Sequence, residues 1–438
     1  MSRLQITEAK KQGQGEVTVA GWVRNLRAHK GIIFVDLADI SGIMQVVFVS
    51  NNNDNNDNYN LAEKLSLESV VEVSGALQAK PLKKNDPNPV QDYELLASSA
   101  KLISLANENL PIPVLTKADN EASLDNRLDW RWLDLRREEN QLIFKVWTKL
   151  EEGFREYFSK NNFIQINTPC LMSTASETGS EVFEVKYFER KAYLSQSPQF
   201  YKQMAMASGL EKVFSFGPVF RAELSFTTRH VTEFTGWDFE VSYINSHVDL
   251  MDIEETLLVS GFEKIKNDLK LEVEVPTQPF PRITLAEAKK KLAAKGIKSE
   301  KDFDFSTEEE KELGIIIKAE NNHDFVFVTD YPIAARPFYH MRHADNNNLT
   351  KSFDLLYRGL EITTGAEREH RIEILEKQAV EKGMDLEELK DYLNFFRYGC
   401  PGHGGVGIGP ARIVMKLLGL TSVKEACYLP RDVKRLNP

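Results

Sequence analysis

Residues 16–49 read EVTVAGWVRNLRAHKGIIFVDLADISGIMQVVFV. Apolar and polar side chains alternate here in three short runs rich in β-branched residues. A period of two puts successive side chains on opposite faces of a strand. The runs are separated by His29-Lys30-Gly31 and Ser41-Gly42, two turn signals, so the segment reads as a three-strand meander. Two further runs of the same kind follow, SVVEVSGALQ and DYELLASSAKLISL, with a short helix expected at 61–67 ahead of the first. Five short strands with one helix before the fourth can close on themselves, which predicts a small β-barrel of the OB type over residues 1–105. Between the third strand and the helix lies NNNDNNDNYN (51–60), too polar to pack and read as a loop.

The rest of the 438-residue chain has a different rhythm. NENLPIPVLTKADNEASLDNRL (107–128) is irregular and polar, so a hinge is expected at 106–130. ENQLIFKVWTKLEEGFREYFSKNN (139–162) repeats apolar residues at helical spacing and leads into a strand, FIQINTP. Strand-like runs recur near 182–188, 191–196, 213–220, 233–244, 325–330, 353–364 and 403–409. Helical stretches fall at 199–208, 249–269, 284–294 and 366–389. Hairpins outnumber helical crossovers, which predicts an antiparallel sheet flanked by helices over 131–438 and an α+β protein as a whole. There is no GxxxxGK[ST] loop, and no GxGxxG opens a helix after a strand.

Composition narrows the function classes. Charged residues make up 27% of the chain, and no apolar run approaches the roughly 18 residues of a membrane span. The first residues, MSRLQITEAKKQGQGE, have no apolar leader, so a cytoplasmic location is expected. A net charge of −10 argues against nucleic acid binding over the whole surface but leaves room for a local basic face. Cys170, Cys400 and Cys427 form no CxxC pair. Cys400 and His403 have C-x-x-H spacing without a second pair, so reduced structural thiols are expected rather than zinc ligands.

Four segments concentrate chemistry. FRAELSFTTRHVTEF (220–234) follows an apolar run, VFSFGPVF. Arg221 and Glu223, two apart on a strand, would share a face, with Arg229 and His230 in the loop beyond and Glu233 and Phe234 opening the return strand. An arginine fork suits phosphate and carboxylate, though a salt-bridged surface hairpin would look similar. In KSFDLLYRGLEITTGAEREHR (351–371), Glu361, Thr363 and Gly365 are expected on one strand face and Arg368 after a glycine turn; a glutamate beside a hydroxyl can place magnesium. In HGGVGIGPARIVMKLLGL (403–420), glycines would let a strand approach a ligand, Pro410 suits a first helical turn, and Arg412 lies near a helix N-terminus. In SETGSEVFEVKYFERKAYLSQSPQFYKQMAM (176–206), Glu177 stands in a turn, while Gln199 and Lys202 begin a helix three apart.

In this order, the four segments resemble the class II aminoacyl-tRNA synthetases. FIQINTP looks like that class's first motif, FRAE…TTRHVTEF its second and GIGPAR its third. LDNRLDWRWLDLRR, QSPQFYKQ, RHVTEFTGWDFE and SFDLLYRGLEITTGAEREHR narrow the likeness to the aspartate-specific branch of archaeal and eukaryotic type, over nearly the whole chain. The resemblance implies ATP-dependent activation of L-aspartate and its transfer to tRNA(Asp), with tRNA(Asn) left open as a second acceptor. It also implies magnesium, a homodimer and no membrane. Arg221, Glu223, Arg229 and Arg412 would carry catalysis. ATP would meet these four and Ala222, His230, Val231, Phe234, Glu361, Gly409, Pro410 and Ala411, with Phe234 stacking on adenine and Arg229 and Arg412 holding the γ-phosphate. Aspartate would meet Glu177, Gln199, Lys202, Arg221, Asp238, Thr364 and Arg368. Glu361 and Thr364 would bind the metal. In the barrel, Arg27, Phe34, Gln45 and Glu94 match anticodon-contacting positions, and Arg24 and Lys30 would add positive charge.

Two departures from the family pattern stand out. Ala411 replaces the usual acid of the third motif. Glu367 replaces a usual glutamine and would place a negative charge beside Arg368. Asparaginyl-tRNA synthetase and a synthetase-like asparagine synthetase are the alternatives, the first opposed by Lys202 and the second by the barrel.

Overall fold

The computed structural model describes residues 2–50, 57–80, 91–115, 121–174, 181–299 and 301–438. It contains two compact units, Met1–Gln141 and Leu142–Pro438.

The first unit carries α1 (Ile6–Gln12), β1 (Gly15–His29), β2 (Ile32–Asp39), β3 (Gly42–Val49), α2 (Asp57–Glu63), β4 (Val70–Ala79), β5 (Tyr93–Ser104), α3 (Leu124–Asp129) and α4 (Arg131–Asp134). The five strands form a closed barrel in the order β1-β2-β3-β5-β4, as the alternation predicts, with β3 and β5 pairing in parallel. Inward-facing Val19, Val35, Leu37, Val46, Val73 and Leu95 are all fully buried. The helix before β4 begins at Asp57, four residues earlier than expected, so the end of the asparagine-rich run forms its first turn. Residues 51–56 of that run lie outside the described residues. The expected hinge is irregular only in part: Leu124–Asp129 is helical, capped by the Ser123 side chain on the Asn126 amide.

The second unit follows with α5 (Glu138–Lys160), most of which belongs to it, β6 (Ile164–Gln165), β7 (Leu171–Met172), β8 (Glu184–Tyr187), β9 (Arg190–Leu194), α6 (Gln199–Ala207), β10 (Lys212–Phe220), β11 (Glu233–Ser242) and α7 (His247–Leu269). Then come β12 (Arg282–Thr284), α8 (Leu285–Ala294), α9 (Thr307–Asn321), β13 (Phe325–Thr329), β14 (Ser352–Tyr357), β15 (Glu361–Arg368), α10 (Ile372–Glu381), α11 (Lys390–Arg397), β16 (His403–Ile408), α12 (Pro410–Leu418) and α13 (Val423–Ala426). Eight strands form one sheet in the order β12-β13-β14-β15-β16-β11-β10-β6. Its central six are antiparallel, as expected. Both edge strands, β12 and β6, pair in parallel, so the sheet is mixed.

Aromatic packing fixes this sheet against its helices. Phe154 and Phe158 of α5 meet Trp237, Phe214 and Phe239 at ring distances of 5.2, 4.6 and 6.1 Å. Truncating one such buried ring to alanine costs about 3–5 kcal/mol. α5 and α7 cross at Gly153 and Gly261, where a Cβ on Gly153 would lie 2.8 Å from the Gly261 Cα.

Two sequence expectations dissolve in the sheet. The run 353–364 is not one strand but the end of β14, a turn and the start of β15; Arg358 and Gly359 make the turn with φ of 47° and 68°. The expected helix 366–389 begins only at Ile372, because Ala366, Glu367 and Arg368 pair with Gly405, Gly404 and His403 of β16.

Candidate active site

β10 ends at Phe220, so Arg221 and Glu223 lie just past the strand and not on it. The pairing continues for one more bond, from the Arg221 amide to the Thr232 carbonyl at 2.9 Å. That bond projects the Arg221 side chain from the strand end. It stays 45% exposed, with its guanidinium 5.5 Å from the centre of the Phe234 ring and 3.9 Å from Glu223 Oε1. Val219 pairs with Phe234 across the hairpin, which aligns the two aromatic and cationic groups. The loop tip is tied down by a 2.8 Å bond from the Val423 amide to the Thr228 carbonyl.

His230 lies under this loop. Its Nδ1 is 2.6 Å from Thr227 Oγ1 and 3.1 Å from Ser225 Oγ. Burial, with the charge of Arg412 behind it, pushes its pKa down to about 4, so the ring is neutral at neutral pH.

The facing wall comes from β15. A bulge opposite Leu355 and Leu356 pairs Leu356 with Glu361 and Leu355 with Thr363, leaving Ile362 as the extra residue. One inserted residue reverses the alternation. Thr364, and not the expected Thr363, therefore sits beside Glu361, its Oγ1 donating to Glu361 Oε1 at 3.3 Å. Gly365 is within the strand and forms no turn; its missing Cβ would fall 2.3 Å from the Phe353 ring. Arg368 is on the same strand. It donates from Nε to Glu240 Oε1 (3.0 Å), from Nη1 to His340 Nε2 (3.0 Å), and from Nη2 to Gln199 Oε1 (3.1 Å) and the Gly405 carbonyl (3.0 Å).

The third wall is the start of α12. Pro410 occupies its first turn, as expected, and Arg412 Nη1 donates to the Glu361 carbonyl at 2.8 Å. The Gly409 amide donates to the Ile362 carbonyl at 2.8 Å, so two backbone carbonyls of β15 hold this helix end. Gly407 of β16 lines the cavity, as expected, but Gly404 and Gly405 serve a different partner. A Cβ on Gly405 would lie 2.0 Å from Glu240 Oε2 and 2.2 Å from the Phe239 carbonyl, so the missing side chain makes room for a buried carboxylate rather than for a ligand.

These walls enclose one cavity of about 330 Å³. Arg221, Glu223, Arg229, His230, Val231, Phe234, Asp238, Glu361, Thr364, Arg368, Gly409, Ala411, Arg412 and Gln199 all line it. Ala222 and Pro410 flank the lining residues without joining them. Lys202 does not line it either. Its ammonium is entirely buried beneath the wall, 2.7 Å from Asp238 Oδ2, 3.2 Å from the Val406 carbonyl and 3.4 Å from Glu240 Oε2. Glu177 lies outside the described residues.

Sequence reasoning missed Glu310, Glu240, His340, Asp354 and Arg336. Glu310 of α9 holds Arg229 through two bonds of 2.8 and 2.9 Å. Asp354 accepts from Arg336 Nη2 at 2.7 Å. Glu310 and Asp354 are both pushed above the usual carboxylate range, first by burial, and the Glu361 charge adds to the rise. Glu361 and the Thr364 hydroxyl line the cavity as oxygen donors of the kind a hard divalent cation such as magnesium takes, while Asp354 behind them is paired with Arg336 and Glu361 lies 3.5 Å from Arg412. Among the described residues no three His, Cys, Asp or Glu side chains make a complete metal cage.

Two expectations about charge are corrected. Glu367 places no bare charge beside Arg368: Lys351 Nζ donates to it at 3.1 Å. Arg24 is absent from any nucleic-acid face. A bulge between Val23 and Asn25 turns it inward, where it donates to Glu68 Oε1 at 2.5 Å. The remaining barrel residues do converge. Arg27 pairs with Phe34, Asp36 with Gln45, and Gln45 with Glu94, across four adjacent strands. Arg27 Nη2 donates to Asp36 and to Gln45 Oε1, and Gln45 Nε2 donates to Glu94 Oε2 at 2.6 Å, with the half-buried Phe34 ring beside them on the same face.

Residues 123–433 match the family model for tRNA synthetases class II (D, K and N), and residues 17–103 match the OB-fold nucleic acid binding domain. An aspartate–tRNA(Asp/Asn) ligase of Methanopyrus kandleri is 40% identical, over 97% of this chain and 96% of its own. An aspartate–tRNA(Asp) ligase of Pyrococcus furiosus is 38% identical, over 96% of each. The solved asparaginyl-tRNA synthetase of Pyrococcus horikoshii, complexed with asparaginyl-adenylate, superposes with a TM-score of 0.89 at 32% identity, over all of both chains. An OB barrel, a mixed sheet bearing the three motifs around one arginine-lined cavity, and these full-length likenesses have one reading: the chain belongs to the class II tRNA synthetases of the D, K and N group.

Proposed function

We propose that the protein activates L-aspartate with ATP to aspartyl-adenylate and transfers the aspartyl group to the 3′ end of tRNA(Asp). The carrying observation is the convergence of Arg221, Arg229, Arg368 and Arg412 with Glu361 on a single cavity. The α-carboxylate of aspartate attacks the α-phosphorus and pyrophosphate leaves. The nucleophile is already an anion, so no base is needed. The protein's work is to hold two anions together and to offset charge growing on the phosphorus. Arg221, at the strand end, reaches both α-phosphate and α-carboxylate. Arg229 and Arg412 take the outer phosphates, Phe234 stacks on adenine, and Glu223 meets the nucleoside edge. Glu361 and Thr364, with Asp354 close by, would hold magnesium, which when bound neutralises phosphate charge. The terminal ribose hydroxyl of the tRNA then takes the acyl group and AMP leaves.

Aspartate is chosen over asparagine through Arg368 and, behind the wall, Lys202. Arg368 lines the cavity, whereas Lys202, paired with Asp238 and Glu240, acts through the wall by orienting Asp238. The likeness to an asparaginyl enzyme is the ground for an asparagine-specific alternative, and Lys202 opposes it. The barrel face of Arg27, Phe34, Gln45 and Glu94 would read the anticodon, with residues 1–105 as the anticodon-binding domain, 106–130 as connector and 131–438 as the catalytic domain. A homodimer and a cytoplasmic location complete the reading by family likeness. ATP–pyrophosphate exchange with aspartate against asparagine tests it; exchange stimulated by asparagine alone would overturn it. Aminoacylation of tRNA(Asp) and tRNA(Asn) transcripts decides the acceptor.

A further inference from the structure

The cavity's phosphate end is organised from outside the three motifs. α9 starts with Ser306 and Glu309 in a reciprocal cap, which fixes the frame of its first turn. Its fourth residue is Glu310, 3% exposed. One carboxylate here does two things. It accepts from Arg229 Nη1 and Nη2 at 2.8 and 2.9 Å, and its Oε2 also accepts from the Glu361 amide at 3.2 Å. A second, independent feature sets the helix at this height. Gly314, one turn along α9, meets the turn between β14 and β15 so closely that a Cβ would lie 2.5 Å from the Gly359 amide nitrogen. On the other side, a Cβ on Gly359 would lie 2.9 Å from the Glu310 carbonyl. Two backbones pressed together without side chains leave little freedom to slide.

We propose that Glu310 is a positioning residue for the polyphosphate of ATP: it aims Arg229 at the outer phosphates and fixes the start of β15, where Glu361 stands. The inference rests on the reading of Arg229 as a phosphate contact. A guanidinium carries five N–H donors in a planar fork, and Glu310 engages only two. The others can meet a phosphate without the pair breaking, so Glu310 orients Arg229 rather than competing for it. Holding a flexible arginine in its working direction before the ligand arrives removes an ordering cost from binding.

Calorimetric titration of the full chain with ATP and with AMP tests this, because AMP lacks the phosphates that Arg229 would meet. Glu310→Gln keeps the shape of the side chain but loses the charged bidentate pair. Its ATP affinity should fall by about tenfold or more while AMP affinity stays within about twofold. Glu310→Asp keeps the charge but is too short to reach both partners, and should give an intermediate ATP-to-AMP ratio. Wild-type ATP affinity in Glu310→Gln, or an equal loss for ATP and AMP in both variants, would overturn the inference and leave the aspartate-activating reading standing. A wild-type protein that binds ATP no better than AMP would instead remove the reading on which it rests.

Discussion

Lys202 Nζ donates to Asp238 Oδ2 at 2.7 Å, joining an ammonium with no solvent exposure to a carboxylate on the cavity wall. Glu240 lies 3.4 Å from the same ammonium and 3.0 Å from the Arg368 guanidinium. Two cations and two anions thus form one buried layer beneath the proposed substrate side chain. Removing Lys202 leaves Asp238 and Glu240 with too little positive charge. Breaking a buried pair in this way costs about 3–5 kcal/mol. Lys202→Leu should lower the melting temperature and cut kcat/KM for aspartate by about 100-fold or more, with the KM for ATP changed only a few-fold. Pyrophosphate exchange with unaltered aspartate kinetics would remove Lys202 from substrate recognition.

Arg221 makes a contrasting prediction, because its side chain is half in solvent and contributes little to folding. Arg221→Gln should keep the melting temperature and lose about 3 kcal/mol of transition-state stabilisation, or roughly 100-fold in exchange rate. A variant that melts early would show that the residue braces the hairpin instead.

The barrel face can be separated from the adenylate chemistry. Stacking of one base on an aromatic ring contributes about 1–3 kcal/mol. Phe34→Ala should therefore raise the KM for tRNA by roughly 5- to 100-fold, and leave aspartate-dependent exchange without tRNA as it is. Equal loss in both assays would argue for damage to the barrel.

Glu254 on α7 predicts a pH effect on stability. It is wholly buried, and burial pushes its carboxyl up to about 8, with the Thr363 hydroxyl as its opposing neighbour. A carboxyl raised on folding stabilises the protein fully below its unfolded value and ceases to do so as pH climbs through the folded one. Wild-type stability should decline between about pH 5 and pH 8 from this source, and Glu254→Gln should flatten that decline. Thermal melts of both proteins at pH 5, 6.5 and 8 measure it. Parallel pH curves would show that Glu254 is charged in the folded state.

Much of this protein is written locally. Alternation at a period of two is enough to place β1 to β5, because each inward valine or leucine is buried wherever its strand pairs. The arginines of the active site lie in short segments whose composition already marks them, while Arg27, Phe34, Gln45 and Glu94 are marked only by the family resemblance, and strand pairing puts them on one barrel face. Tertiary structure decided which of these charges are available. Glu310 is 81 residues from Arg229, and nothing in EEEKELG distinguishes it from the exposed Glu308 or the cap-forming Glu309 beside it. Arg24 and Thr363 were misplaced for a common reason: a bulge inserts one residue, reverses the parity of the strand, and leaves no mark in composition. Lys202 reads as a first-turn lysine in contact with the substrate; β11 and β16 instead close over it, and burial obliges it to find Asp238 and Glu240. Periodicity assigns a side chain to a face of its own element. Only the packing of distant elements sets the dielectric around it and the charge it must answer.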